Sequence, residues 1–104
     1  MKEYKVIIEA VVREEILNIR RYIAKEMKEP ITAKNIYNSI NSAISSLKLL
    51  PLRYPIVEDE PHKSRAIRKM PVKNYSVFYV VDEVKNSVNI LNIIYNRRNW
   101  QMLI

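Results

Sequence analysis

The sequence predicts an α+β domain in which a mostly antiparallel β-sheet packs against an N-terminal helical hairpin, in the order β-α-α-β-β-β. Three observations lead to this fold class: a short apolar strand opens the chain, two long segments repeat apolar residues at helical spacing, and three strand-like segments follow. The length of 104 residues, with 48% apolar and 28% charged residues, is typical of one globular domain spanning residues 1–104.

The first half of the chain is predicted to form one strand and two antiparallel helices. The stretch EYKVIIEA reads as a strand, and from Ala10 onward apolar residues recur every three or four positions. Pro30 limits this first helix, because the residue before a proline is displaced from the helical region. Thr32 is predicted to cap a second helix that continues to Pro51, and the short EPIT connection makes the two helices antiparallel.

Three strands are predicted in the second half, after a proline-rich surface loop at residues 51–63. SRAIRKM is a short strand, YSVFYVVD is a stronger one, and SVNILNIIY is the most buried because its apolar residues occupy both parities. The turn EVKN joins the last two strands, with Asn86 in the left-handed conformation usually given to glycine. Asn74 is a second candidate for that conformation.

The composition excludes most familiar catalytic and metal sites. The chain has no cysteine and one histidine, so it can form neither a disulfide nor a thiolate or histidine-rich metal site. That histidine, His62, lies in the proline-bounded loop and is read as incidental. The absence of glycine excludes the P-loop, the dinucleotide-binding fingerprint and the GxSxG elbow. We therefore expect no metal and no cofactor.

The charge balance predicts an anionic partner. Eighteen lysines and arginines against 11 acidic residues give a net charge of +7, which attracts nucleic acid, a ribosome or an acidic protein. No stretch approaches the ~20 consecutive apolar residues of a membrane helix, and the amino-terminal residues do not resemble a signal peptide. We expect a cytoplasmic protein that makes no membrane contact.

Basic residues cluster with tyrosines in the carboxyl half of the chain. The residues concerned are Arg65, Arg68, Lys69, Lys73, Tyr75, Tyr79, Tyr95, Arg97 and Arg98. Neighbouring antiparallel strands bring side chains on one face within about 5 Å, so these residues are expected to converge into one cationic and phenolic surface. The simpler interpretation, with Tyr95 as a core residue and the paired arginines as solvated charges, stays open.

The chain resembles the RelE/ParE superfamily of toxins from bacterial type II toxin–antitoxin modules. The resemblance covers nearly the whole chain, and its most specific segments are RAIRKMPVKNYSVFYVVDE and VNILNIIYNRRNW. It implies a toxin that arrests growth and is neutralised by a cognate antitoxin in a hetero-oligomeric complex.

In the RelE-like branch, the resemblance implies ribosome-dependent and metal-free cleavage of mRNA, by attack of a ribose 2′-hydroxyl on its neighbouring phosphate. Tyr95 is the candidate general acid or base, beside cations that would favour its phenolate. The candidate catalytic residues that would bind phosphate or stabilise its developing charge are Arg65, Arg68, Arg97 and Arg98. The candidate RNA-binding residues are Lys69 and Lys73. This branch is the favoured prediction.

In the ParE-like branch, the resemblance implies inhibition of DNA gyrase without catalysis, through the helical hairpin and the carboxyl-terminal segment.

Trp100 and Leu103 are the candidate antitoxin-binding residues, in an apolar groove beside cations that an acidic amphipathic partner would recognise. A short lid over the sheet or hairpin is the alternative role for that segment. A non-toxic basic RNA-binding module is a third alternative for the chain.

Overall fold

A computed structural model describes residues 2–97 of the chain. The elements, in order, are β1 (Lys5–Ile8), α1 (Ala10–Lys25), α2 (Pro30–Ser46), a 3-10 turn (Pro51–Arg53), β2 (Arg68–Val72), β3 (Tyr75–Asp82) and β4 (Ser87–Tyr95). The predicted α+β class and the order β-α-α-β-β-β are confirmed. No helix within residues 2–97 is long and apolar enough to cross a membrane.

The four strands form one mixed sheet in the spatial order β1-β4-β3-β2. β3 runs antiparallel to both β2 and β4, whereas β1 pairs parallel to β4 at one edge. β3 and β4 are therefore the central strands, which agrees with their long runs of apolar residues.

Two hydrophobic cores lie on the two faces of this sheet. The larger core joins the sheet to both helices, and its buried helical residues are Val12, Ile16, Ile23, Ala33, Ile40 and Ile44. The smaller core, on the outer face, consists of Val57, Ile67, Phe78 and Ile94. The loop before β2 supplies two of those four residues and is ordered over the sheet. His62 belongs to this loop and is only 2% exposed.

The pairing of β3 with β4 contains a bulge. The register shifts between Phe78 and Tyr79, and Leu91 is the extra residue on β4. Because a bulge changes the alternation of side chains, Ile90 and Ile93 both pack in the helix-side core, although regular alternation would separate them. The bulge, together with burial of both faces, accounts for the apolar residues at both parities of β4.

The predicted boundaries of the second helix are wrong at both ends. α2 begins at Pro30 without a side-chain cap, so Thr32 lies inside the helix. Proline suits a first helical position, because its fixed φ is helical and no N–H is needed there. The helix ends at Ser46 rather than Pro51, because the N–H groups of residues 47–49 bind carbonyl oxygens three residues earlier instead of four. Leu50 then adopts a left-handed conformation with φ 51°.

The strand predicted for SRAIRKM begins later than expected. β2 starts at Arg68, and backbone hydrogen bonds among residues 59–67 form successive turns before it. Ala66 has a positive φ of 55°, which interrupts an extended conformation. Arg65 consequently lies in a loop and not on a strand.

The strong strands and the second turn match the predictions, but the first turn does not. β3 and β4 have the predicted bounds, and Asn86 adopts the expected left-handed conformation with φ 52°. In the β2–β3 turn, Lys73 rather than Asn74 has the positive φ, at 56°. The pairing of strand residues on either side of this two-residue turn makes Lys73 its first residue, where a type II′ turn requires a positive φ.

Candidate functional site

The residues predicted to form one cationic and phenolic surface lie apart on the sheet. Arg68 pairs with Tyr79 across β2 and β3, whereas Tyr95 pairs with Tyr75 across β4 and β3. Four residues of strand separate these positions by about 13 Å along the sheet, and β3 lies between β2 and β4, adding about 10 Å across it. The expected convergence of Arg68 with Tyr95 is therefore wrong.

The guanidinium group of Arg68 binds backbone carbonyls. Its Nη1 donates hydrogen bonds to the carbonyl oxygen of Leu52 at 3.2 Å and to that of Tyr54 at 2.6 Å. These bonds attach β2 to the connection that follows α2. Arg68 thus contributes to the fold through the N–H groups of its Nη1.

The neighbouring Tyr79 is also committed to the fold. Its side chain is fully buried, and its hydroxyl donates a 2.6 Å hydrogen bond to the carbonyl oxygen of Pro51. Burial raises the pKa of Tyr79 to about 12, although nearby Arg68 and Arg53 act in the opposite direction. This phenol stays protonated at neutral pH and is enclosed away from solvent.

The other predicted cations are dispersed. Arg65 is exposed in the loop before β2, and Lys73 is exposed in the β2–β3 turn. Lys69 pairs with Phe78 on the outer face, opposite to its neighbour Arg68, because successive strand residues point to opposite faces. Lys69 therefore faces away from Tyr95, and Arg65 lies before the opposite end of β2. Lys73, in contrast, belongs to the turn next to the end of β4, where the N–H of Asn96 donates to Asn74 O at 2.9 Å.

Tyr95 lies half-buried at the end of β4. Its ring meets that of Tyr75 edge to face, with centroids 5.4 Å apart and an interplanar angle of 61°. The next residue, Asn96, is held by two hydrogen bonds: its N–H donates to Asn74 O at 2.9 Å, and its Oδ1 accepts from the Ser76 hydroxyl at 2.5 Å. The end of β4 is thereby fixed to the β2–β3 turn.

Four predicted site residues follow Asn96, and the structure describes one of them. Arg97 is exposed in the turn after β4. Arg98, Trp100 and Leu103 lie outside the described residues, so their predicted catalytic and antitoxin-binding roles stay predictions.

A large groove opens beside Tyr95, between the helical hairpin and the ends of β3 and β4. Its volume is about 920 Å³. Its apolar and aromatic walls are formed by Ile19, Tyr22, Ile23, Met27, Ile36, Tyr75, Ile93 and Tyr95. Among the described residues that line it, two are carboxylates, Glu15 and Glu29, and none is a lysine or arginine. The groove is therefore apolar, and the charged residues in the described part of its wall are acidic.

Glu15 forms the polar part of the groove wall on α1. Its Oε2 accepts a long 3.5 Å hydrogen bond from the side-chain amide of Asn92, while Oε1 is enclosed without a hydrogen-bond partner within residues 2–97. Burial raises the pKa of Glu15, and the hydrogen bonds from Asn92 and from the backbone N–H of Ile93 only partly oppose this effect. Glu15 is therefore a partly desolvated acceptor at the edge of the groove.

No metal centre is recognisable in the part of the chain that the structure covers. Histidine and carboxylate side chains there form no group of three that could hold a metal ion.

A family model described as "ParE toxin of type II toxin-antitoxin system, parDE" matches residues 6–100, nearly the full length of the chain. The chain belongs to the ParE toxin family. It is thus a toxin of the RelE/ParE superfamily from a type II toxin–antitoxin system, as the resemblance implied. No curated protein sequence matches this ParE-family toxin significantly.

Solved structures share the fold at low sequence identity. The chromosomal ParDE toxin–antitoxin system of P. aeruginosa aligns with a TM-score of 0.71 and 13% identity, covering 91% of this chain and 98% of that one. The RelE–RelB complex of Pyrococcus horikoshii OT3 aligns with a TM-score of 0.65 and 17% identity, covering 94% and 99%. The RelBE2 toxin–antitoxin complex of Mycobacterium tuberculosis aligns with a TM-score of 0.61 and 16% identity, covering 89% and 98%.

Sequence reasoning missed the residues of the groove wall on α1 in this ParE-family toxin. Glu15, Ile19 and Tyr22 follow the three- and four-residue spacing of one helix face. That spacing was available as a signal, because it places a carboxylate in line with apolar and aromatic residues. No such signal marks the residues that β4 contributes to the opposite wall of the groove, since Asn92 and α1 are far apart in sequence.

Proposed function

We propose that this ParE-family toxin acts by binding DNA gyrase and catalyses no reaction of its own. The dispersal of the predicted nuclease residues supports this proposal. Arg68 is bound to backbone carbonyls, and Tyr95 lies about 13 Å along the sheet from the position of Arg68.

The chemistry of metal-free RNA cleavage explains why this dispersal matters. One group must take the proton of the ribose hydroxyl from hydrogen-bond distance, and cations must surround the phosphate where charge develops. Arg65 lies in a loop and Lys69 on the outer sheet face, so these two cations do not surround one phosphate with Tyr95. A protein-binding mechanism requires no such convergence.

The groove beside the helical hairpin supports a second part of the proposal, the neutralising partner. The neighbouring RelBE2 and RelE–RelB structures are toxin–antitoxin complexes. A groove with an apolar floor and a polar acceptor at Glu15 suits an amphipathic helix that inserts its apolar face. We propose that a cognate antitoxin occupies this groove in a hetero-oligomeric complex.

Ribosome-dependent cleavage of mRNA is the second candidate function. The arrangement that favours it is the half-buried Tyr95 at a groove edge with the exposed Arg97 two residues beyond it, on a chain of net charge +7. If this reaction occurs, we expect Tyr95 and Arg97 to take part in it.

Induced expression in a bacterial host discriminates between the candidates. We expect growth arrest with DNA breakage and intact transcripts, and we expect Tyr95→Phe and Arg97→Ala variants to keep that effect. If the wild type instead cuts transcripts without breaking DNA, and both variants leave the transcripts intact, the function is RNA cleavage and not gyrase binding. An absence of growth arrest with retained RNA binding would favour the non-toxic RNA-binding module.

A further inference from the structure

The connection after α2 presents two leucine side chains to solvent. Leu50 is 61% exposed and Leu52 is 44% exposed, on either side of the buried Pro51. Leu50 has φ 51° and ψ 51°, the left-handed conformation that leucine adopts only at an energetic cost. The chain therefore holds an exposed apolar residue in an unfavourable backbone conformation.

Arg53 holds the first part of this turn from within it. Its Nη1 donates to the carbonyl oxygens of Leu49 at 2.7 Å, Leu50 at 3.1 Å and Ser46 at 3.4 Å, and its Nη2 donates to the Ser46 hydroxyl at 2.7 Å. The carbonyl oxygens of Ser46 and Leu50 also accept backbone N–H groups, from Leu49 and Arg53 at 3.2 Å each, so the guanidinium adds to the backbone bonds that follow α2. One side chain thus fixes the backbone on both sides of Leu49.

Arg68 and Tyr79 hold the second part of the turn from the sheet. Tyr79 donates to the carbonyl oxygen of Pro51 at 2.6 Å, and Arg68 donates to those of Leu52 and Tyr54 at 3.2 and 2.6 Å. The backbone between α2 and the loop is consequently fixed by side chains of two separate elements. Such redundancy is what maintains a strained residue in a folded protein.

A connection with no other role would not need a leucine at this place. Asparagine or glycine adopts the left-handed conformation more easily, and a polar side chain would avoid exposing apolar surface. Strained residues fixed by their surroundings are concentrated at binding sites, where a rigid side chain loses little entropy when it is buried by a partner. The exposed Lys48 and Arg53 flank the two leucines with positive charge.

We propose that Leu50 and Leu52, the leucine pair, insert into an apolar cleft with an acidic rim on the target protein of the toxin. The proposal rests on the proposed function in taking the target to be a protein that is bound. The apolar side chains supply buried area at the centre of the interface, and the flanking cations match carboxylates around it.

The leucine pair is separate from the groove proposed for the antitoxin. The groove reaches α2 at Thr32 and Ile36, and the helix continues to Ser46 before the pair. At 1.5 Å per residue, at least about 15 Å of helix separates Ile36 from the start of the connection. Target binding and antitoxin binding can therefore be changed independently.

Leu50→Asn tests the proposal, because asparagine accepts the left-handed conformation and removes the apolar side chain. We expect the purified variant to keep or raise its Tm and to inhibit gyrase supercoiling at least tenfold more weakly. Leu50→Met, which keeps an apolar side chain, should retain the potency. Val84→Asn is the matched control, since Val84 is 94% exposed in the β3–β4 turn, and it should stay within twofold of the wild type.

Leu52→Gln provides a second variant that leaves the left-handed residue unchanged, and it too should lose potency. Wild-type potency in both Leu50→Asn and Leu52→Gln would overturn the proposal. If both variants keep wild-type potency but lose self-association in light scattering, the leucine pair contacts a second copy of the toxin instead. If the wild type arrests growth without inhibiting gyrase, and Leu50→Asn relieves that arrest, the gyrase proposal fails while the leucine pair stands.

Discussion

Tyr79→Phe removes one hydroxyl group from the interior and leaves the rest of the side chain in place. The hydroxyl donates a 2.6 Å hydrogen bond to Pro51 O, and both residues are almost fully buried. The variant therefore leaves a buried carbonyl without this donor, which costs about 1–3 kcal/mol of unfolding free energy. For a domain of this size each kcal/mol lowers Tm by about 4–8 °C, so we expect a clear decrease.

Urea unfolding followed by circular dichroism measures this effect. The midpoint should decrease while the m-value stays constant, because the surface exposed on unfolding is unchanged. Tyr22→Phe is the control: Tyr22 is 56% exposed, so its variant should lie within about 0.5 kcal/mol of the wild type. A Tyr79→Phe protein as stable as the wild type would show that the sheet does not hold the connection through this bond.

Three further predictions concern the turn, the groove and the end of β4. Arg53→Met removes the donors at the end of α2 and should lower the unfolding free energy by about 1 kcal/mol in the same urea assay, whereas an unchanged midpoint would contradict the role of Arg53. Glu15→Gln should stabilise the protein at pH 7, as measured by Tm across a pH series. Ser76→Ala removes the hydrogen bond to Asn96 and should speed amide hydrogen exchange at the end of β4; exchange as slow as in the wild type would refute this.

The sign of the Glu15 effect follows from its raised pKa. Burial disfavours the carboxylate in the folded protein, so the stabilising contribution of Glu15 is fully present below its ordinary pKa of 4.5 and is lost as pH rises through the raised value. Glutamine stays neutral at all these pH values. The advantage of Glu15→Gln should therefore shrink as pH falls toward 4.5, and an advantage that grows instead would contradict the assignment.

Local pattern was sufficient for the strong strands because it reports burial directly. The bounds of β3 and β4 and the left-handed Asn86 were predictable, since the runs of apolar residues end at polar turn residues. The first residue of α2 was harder to predict, because proline and threonine both favour helix starts and the sequence offers Pro30 and Thr32.

The site was much less predictable, because it depends on contacts between distant residues. The sequence placed Arg68 beside other cations, but its guanidinium is bound to carbonyls 14 and 16 residues earlier. No short-range pattern encodes such a bond. The extra Leu91 in β4 likewise changes which side chains share a face only through its pairing with β3.

The central claim of binding without catalysis is tested by titrating gyrase supercoiling with two purified proteins. One is the wild-type toxin, and the other is the Tyr95→Phe, Arg97→Ala double variant. We predict inhibition by both proteins at equal potency, saturating at a fixed ratio of toxin to gyrase. Failure of the wild type to inhibit at any concentration, while it cuts transcripts and the double variant does not, would contradict the account.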